Sequence, residues 1–404
     1  MTAACVIRTV TLDPSDRYGL PGTWGCGMGE ESLPAMKRRP EFDSLRGVLL
    51  VLMTLTHLPT RLSVIGNQPF GFVSAAEGFV FLSAFLVGVV HAKKLGTSSP
   101  VAMFKSLWSR ALKVYGYHVA LLSFAFTIIA TLGVAARRPA IHNLLGFFHQ
   151  DPFTALWSSL FLLYCPPLLD ILPLYVVLLL LTPAVLLGAR KEGWSRVLGL
   201  SALIWVWAQV GLKRALYDLL VAIPVLPWPP LSIDLSGAFD LFAWQFLWVL
   251  GVWMGVARAT APEQREPVSR RLLTGAIVVS LGFFVVRHLD VDLGAAGVLF
   301  DKWSLAPLRL VNFLAVALLA SWLAPRLFQW LRPKVLEALG QASLPVFAVH
   351  VVLCLLSLSL LDENEDPLDY WDEAAVLVAT FCSMYFVALR QRIAGRSVGP
   401  PSTS

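Results

Sequence analysis

The chain has 404 residues, of which 57% are hydrophobic and 14% charged, with 24 Phe and 14 Trp. A soluble domain carries roughly 25% charged residues, so this composition excludes a soluble globular protein and indicates a polytopic membrane protein. The net charge of +6 is no nucleic-acid signal, because the basic residues collect in alternate loops, as orientation in a membrane requires.

Residues 1–35 lack the apolar core of a signal peptide and do not read as a folded element. Met36 stands directly before Lys37, Arg38 and Arg39, a natural start for an inward-facing membrane protein. Residues 1–35 are therefore expected to be a disordered tail or the product of a misassigned start. The membrane domain then covers 36–396, and 397–404 is a cytoplasmic tail.

Apolar runs of about 20 residues mark spanning helices. They predict an all-α protein of about ten crossings, near 44–62, 70–91, 107–133, 171–189, 196–212, 240–257, 271–287, 306–324, 341–361 and 374–391. Basic clusters follow alternate crossings: Lys93 and Lys94 with Lys105, Arg110 and Lys113, then Arg190 and Lys191, Arg258, Arg326, and Arg390 with Arg392. The stretch 362–373 is acidic and has no basic residue. The positive-inside rule puts the basic loops and both termini in the cytoplasm. Residues 142–170, cut by Pro152, Pro166 and Pro167, are expected to be external, re-entrant or interfacial, and 217–239 an external loop with a short helix.

Cys5, Cys26, Cys165, Cys354 and Cys382 have neither metal-site nor redox spacing, so no metal or disulfide framework is expected. The first helix carries the informative pattern. From Arg46 to His57 an α-helix makes three turns plus about 20° and rises about 16 Å, so both side chains share one face. A histidine inside a membrane costs roughly 2.5 kcal/mol unless it faces a polar interior, which makes it a functional candidate. Asp43, one turn before Arg46, either orients the guanidinium or is an ordinary first-turn acid. Glu77 is an acid in an otherwise apolar helix and needs a partner; the expected one is His57. His350 and, more weakly, His118 are further intramembrane histidines, while Ser83, Gln245 and Asn312 are either oxyanion donors or interhelical hydrogen-bonding groups.

Asp43, Arg46, ten intervening residues and His57 resemble the first-helix signature of the membrane-bound acyltransferase-3 superfamily. More closely, six blocks resemble the OpgC family, associated with succinylation of osmoregulated periplasmic glucans: 41–60, 68–88, 170–183, 242–255, 301–319 and 339–350. One departure is Ala84, where a glycine is expected after Ser83. The resemblance implies a multi-pass protein of the bacterial inner membrane that moves an acyl group, succinyl or else acetyl, from cytosolic acyl-coenzyme A to a hydroxyl of a periplasmic glucan or related polysaccharide. Its expected partners are membrane lipid, that glucan and periplasmic glucan-biosynthesis proteins, with no nucleic acid.

Acyl transfer to a hydroxyl needs a base, an oxyanion stabiliser and a hold on the donor. His57 suits the base role, or that of a transient acyl carrier, with Glu77 and Asp43 supporting it. Arg46, Arg110 and Lys113 are the expected contacts for coenzyme A phosphates. His350, Asp170, Asp301 and Lys302 are the expected acceptor-side residues, with Trp303 and Trp371 available to stack on sugar rings. The rival reading is a glycan or acyl-compound transporter. Transporters commonly show repeated halves with broken helices at the midplane, whereas here no repeat is visible and the prolines gather in the external stretches.

Overall fold

The computed structural model describes residues 39–97, 100–135, 139–222, 231–260, 268–289, 291–331, 333–361 and 369–397. The tails expected at 1–35 and 397–404 lie outside them, save Ser397, as do residues 362–368 of the acidic loop. Among the described residues only helices and their connections occur, in keeping with the expected all-α fold.

Helix α1 (Pro40–His57) places Glu41 and Asp43 in its first turn, where acids complement the helix dipole. It stops at His57, short of the expected residue 62. The Leu58 and Thr60 amides bond back to Thr54 and Leu58 carbonyls at 3.1 and 2.8 Å, turning the chain into α2 (Leu62–Gly66). A bent stretch with Gly71 at φ +88 leads to α3 (Ala75–Thr97). Helix α4 (Pro100–Phe124) runs through a π-helical turn at Ala125–Ile129 into α5 (Ala130–Ala135), one apolar run of 36 residues.

The proline-cut stretch expected to lie outside is three short helices, α6 (Pro139–Leu144), α7 (Gly146–Gln150) and α8 (Pro152–Leu160), followed by irregular chain to Asp170. Asp151 caps α8 by accepting from the Thr154 amide at 3.1 Å, and Pro152 occupies the first helical position, where its missing N–H costs nothing. There follow α9 (Ile171–Glu192), α10 (Trp194–Gln209), α11 (Leu212–Val221), α12 (Leu241–Thr260), α13 (Arg270–His288), α14 (Pro307–Leu331), α15 (Lys334–Gln341), α16 (Ser343–Leu360) and α17 (Tyr370–Ser397).

Eight of these helical runs are long and apolar enough to cross a membrane, and α10 with α11, bent by 76°, makes a ninth. Helix α1 carries Glu41, Asp43 and Arg46 and so fails a test of composition alone. It is nevertheless walled by α3, α14, α15 and α16. The described residues thus hold eight or nine candidate crossings, against the ten or so expected from the sequence.

Small residues set the closest helix pairs, because lipid offers no hydrophobic drive between helices and backbones must approach for dispersion contact. Helices α3 and α12 run side by side in parallel: a methyl on Gly88 would collide with the Val252 carbonyl, and one on Gly255 with that of Phe85. A methyl on Gly251 would lie 2.8 Å from the Ala84 side chain. The extra methyl of Ala84 is thus matched by a missing one opposite. The same device locks α15 across the start of α1, where Gly340 meets the Asp43 carbonyl and Gly47 that of Leu336. Trp244 and Trp248 fill the core, and their indole N–H groups donate to the Trp303 carbonyl at 3.0 Å and to Thr182 Oγ1 at 2.9 Å.

Candidate functional site

His57 is the last residue of α1, and the wall it meets is α16. His350 of that helix is 1% exposed, and its ring stacks on His57 with centroids 5.4 Å apart and planes inclined by 23°. His57 Nδ1 lies 3.2 Å from His350 Nε2, and His350 Nδ1 lies 3.2 Å from the Phe347 carbonyl. A carbonyl only accepts, so with both rings neutral this network assigns the protons. His350 Nδ1 donates to Phe347, its Nε2 accepts from His57 Nδ1–H, and His57 Nε2 is left with its lone pair.

Glu77 is therefore not the partner of His57, which corrects the sequence expectation. It is fully buried and bonded to the Arg309 Nε–H of α14, a residue the sequence reading passed over. Its other oxygen accepts from the Ser74 amide at 3.0 Å and the Ser74 hydroxyl at 2.5 Å. One turn along α14, Asn312 Oδ1 accepts from the Phe72 amide at 2.8 Å. Arg46 Nη2 of α1 donates to Ser83 Oγ of α3 at 3.4 Å.

Lys302 closes the cluster from the connection before α14. Its ammonium sits over the rings of Trp303 and Phe239, 4.6 and 5.7 Å from their centroids. Burial holds its pKa below the usual lysine range, opposed by Glu77 and Asp170 and reinforced by Arg309. It is also within electrostatic reach of His57. Asp170, at the start of α9, is pushed up to about 6 by burial, against the backbone N–H of Ala238 and the charge of Lys302. The Asp301 carboxylate is occupied within its own turn, accepting from the Ser304 amide and hydroxyl at 2.7 Å each. Of the expected acceptor-side residues, His350 touches His57, Lys302 is within electrostatic reach of it and Asp170 within reach of Lys302, while Asp301 serves the loop. Trp371 is 82% exposed at the start of α17.

The expected donor-side cations do not form one group. Arg110 Nη2 donates to the Tyr175 hydroxyl at 3.0 Å, only one turn from Asp170 and at the far end of α9 from Arg190 and Lys191. Arg46 reaches Ser83 on α3, and Lys113 is exposed on α4. Packing of α4 on α9 thus sets Arg110 beside Tyr175, in the first half of α9. Asp43 is buried in the first turn of α1 beside α15, remote from the histidines along the helix. An open cleft of about 500 Å³ near it is lined, among the described residues, by Glu41 and Glu337 as well as Lys334.

Ser83 accepts from Arg46, and Gln245 exchanges bonds with Ser201 Oγ and its carbonyl at 2.6 and 2.8 Å, so both tie helices together. His118 is fully buried on α4, and its ring nitrogens have no hydrogen-bond partner among the described residues. Those residues contain no group of three or more His, Cys, Asp or Glu arranged to hold a metal.

A family model described as OpgC protein matches residues 38–394. No curated protein and no solved structure matches the chain.

Proposed function

This chain belongs to the OpgC family, and we propose that it is an integral membrane O-acyltransferase that carries an acyl group, succinyl in the first instance, from cytosolic acyl-coenzyme A to a hydroxyl of a periplasmic glucan. The observation that carries the reading is the His57–His350 contact, which leaves His57 Nε2 as a bare acceptor at the end of α1. A sugar hydroxyl gives its proton to Nε2 as its oxygen attacks the thioester carbonyl. The imidazolium that forms is held by His350 through Nδ1–H. Collapse of the tetrahedral intermediate breaks the carbon–sulfur bond, and His57 returns the proton to the departing thiolate. If Nε2 attacks the thioester itself, the same atom becomes a transient acyl carrier.

Asp170 supplies a polar group on the acceptor side, and Lys302 stands between it and His57. Arg46, on the same face of α1 some 16 Å away by helix rise, is the donor-side contact kept from the sequence reading, whereas Arg110 and Lys113 are separated from it. The reading places the protein in the bacterial inner membrane, with both termini cytoplasmic, lipid around it and periplasmic glucan-synthesis proteins as partners. Neither metal nor nucleic acid has a part in it.

The test is acyl transfer by purified protein in nanodiscs, given succinyl- or acetyl-coenzyme A and periplasmic glucan, with His57→Ala as the comparison. Release of coenzyme A with acylated glucan from the native protein alone is the expected result. No turnover by folded protein, together with glucan flux in liposomes, would replace the enzyme with a transporter.

A further inference from the structure

Helix α14 presents N–H groups that the fold itself does not use. Arg309 is 1% exposed: its Nε serves Glu77 and its Nη1 the Phe300 carbonyl at 3.3 Å, but Nη2 has no hydrogen-bond partner among the described residues. Asn312 is fully buried; its Oδ1 serves the Phe72 amide, but Nδ2 has no partner among the described residues. These two positions are i and i+3 on one face of the helix. Lys302, whose ammonium has no carboxylate within 4.0 Å among the described residues and lies over ring faces, is within electrostatic reach of Arg309.

Leaving a buried donor unpaired is costly, because its bond to water is lost and not replaced. Two on adjacent turns, beside a buried ammonium, are best satisfied by one group that accepts several hydrogen bonds and carries negative charge. A carboxylate does both, whereas a hydroxyl accepts without carrying charge and a methyl does neither. The Ser74–Glu77 turn is already filled by Arg309, and among the described residues no carboxylate bonds Arg309 Nη2 or Asn312 Nδ2.

We propose that Arg309 Nη2 and Asn312 Nδ2, with Lys302 beside them, form a carboxylate subsite that takes the free acid end of a dicarboxylic acyl group while its thioester carbonyl lies at His57. This rests on the acyltransferase reading and assigns to that site a basis for choosing between acyl donors. The Glu77–Arg309 pair is then a positioning device: by fixing Nε it aims Nη2.

Asn312→Asp tests the subsite with little change of shape. It keeps the oxygen that accepts from Phe72 and replaces the N–H₂ group with a second oxygen that repels a carboxylate. Arg309→Lys is the companion variant, keeping a cation for Glu77 while removing Nη2. The readout is the ratio of kcat/KM for succinyl-coenzyme A over acetyl-coenzyme A in nanodiscs. The expected result is a fall of about tenfold or more in that ratio in either folded variant. A ratio within about twofold of native in both overturns the subsite, because an oxyanion donor or a packing residue lowers both donors together.

If the native protein turns over neither donor, the acyltransferase reading fails, and the subsite is then judged by thermal stabilisation with succinate. Stabilisation of native protein that is lost in Asn312→Asp supports it. The absence of stabilisation in the native protein removes it.

Discussion

His57 Nδ1 lies 3.2 Å from His350 Nε2 although the two residues are 293 positions apart in the chain. The contact fixes a tautomer as well as a position, since His350 is itself oriented by the Phe347 carbonyl.

Removal of the base and removal of its orienting partner should therefore differ in size. His57→Gln is expected to lower kcat by about 10²- to 10⁴-fold, the usual worth of a positioned base. His350→Leu, which leaves His57 without its acceptor, should cost about 10²-fold, and His350→Gln, which restores an acceptor oxygen, about tenfold. Coenzyme A release, followed with a thiol reagent and normalised to folded protein, measures all three. Equal activity in His350→Leu and native protein would sink the orienting role.

The Glu77–Arg309 pair is buried at both ends, with side chains 0% and 1% exposed. Cutting one partner leaves an uncompensated charge, a loss of about 3–5 kcal/mol, whereas replacing both with apolar residues removes the desolvation cost as well. Glu77→Leu and Arg309→Leu are each expected to lower the melting temperature in detergent substantially. The double variant should melt above either single one. Additive losses in the double variant would show that the two charges stabilise the fold independently.

Asp170 gives a stability signature with pH. Its carboxyl is raised from 3.8 to about 6 by burial, so the folded protein keeps a proton that the unfolded chain has already lost. Stability from this group is complete below pH 3.8 and is lost as the pH rises through about 6, an effect of about 3 kcal/mol in all. Asp170→Asn should gain in melting temperature over native protein at pH 8, and gain less at pH 5. The same difference at both pH values would contradict a buried, ionising Asp170.

Glycines at the helix contacts can be told apart by what stands opposite. Gly340→Ala pushes a methyl into the Asp43 carbonyl and should prevent α15 from seating on α1, seen as loss of folded protein on size-exclusion chromatography. Gly116→Ala, in mid-helix on α4 with nothing within 4 Å, should be neutral or more stable by roughly 0.5–1 kcal/mol. A stable Gly340→Ala protein would remove the argument for a locked α1.

Much of this arrangement was legible in the sequence, and the gaps have physical causes. Hydropathy gave the all-α membrane architecture and eight or nine of the ten or so expected crossings, and the Arg46–His57 spacing singled out α1, because both signals are local. The pairing of His57 with His350 is a tertiary fact; Glu77 was the nearer candidate in sequence and the wrong partner. Arg309 escaped because it lies one turn inside α14, where an arginine looks like an ordinary helix flank. The unpaired acid Glu77 was the one available signal, since a lone carboxylate in an apolar helix requires a cation somewhere in the chain. Arg110 was misplaced for a related reason: its helix is 36 residues long with its extension, far more than a bilayer needs, so position in the sequence no longer gave depth.

Helix α1 is held at one end by the backbone contacts with α15 and capped at the other by a ring stacked on α16. A strut fixed at both ends cannot slide or swivel, so the chemistry has a stationary anvil. On the proposed acyl transfer, donor and acceptor must both come to His57, because the helix that carries it is held at each end.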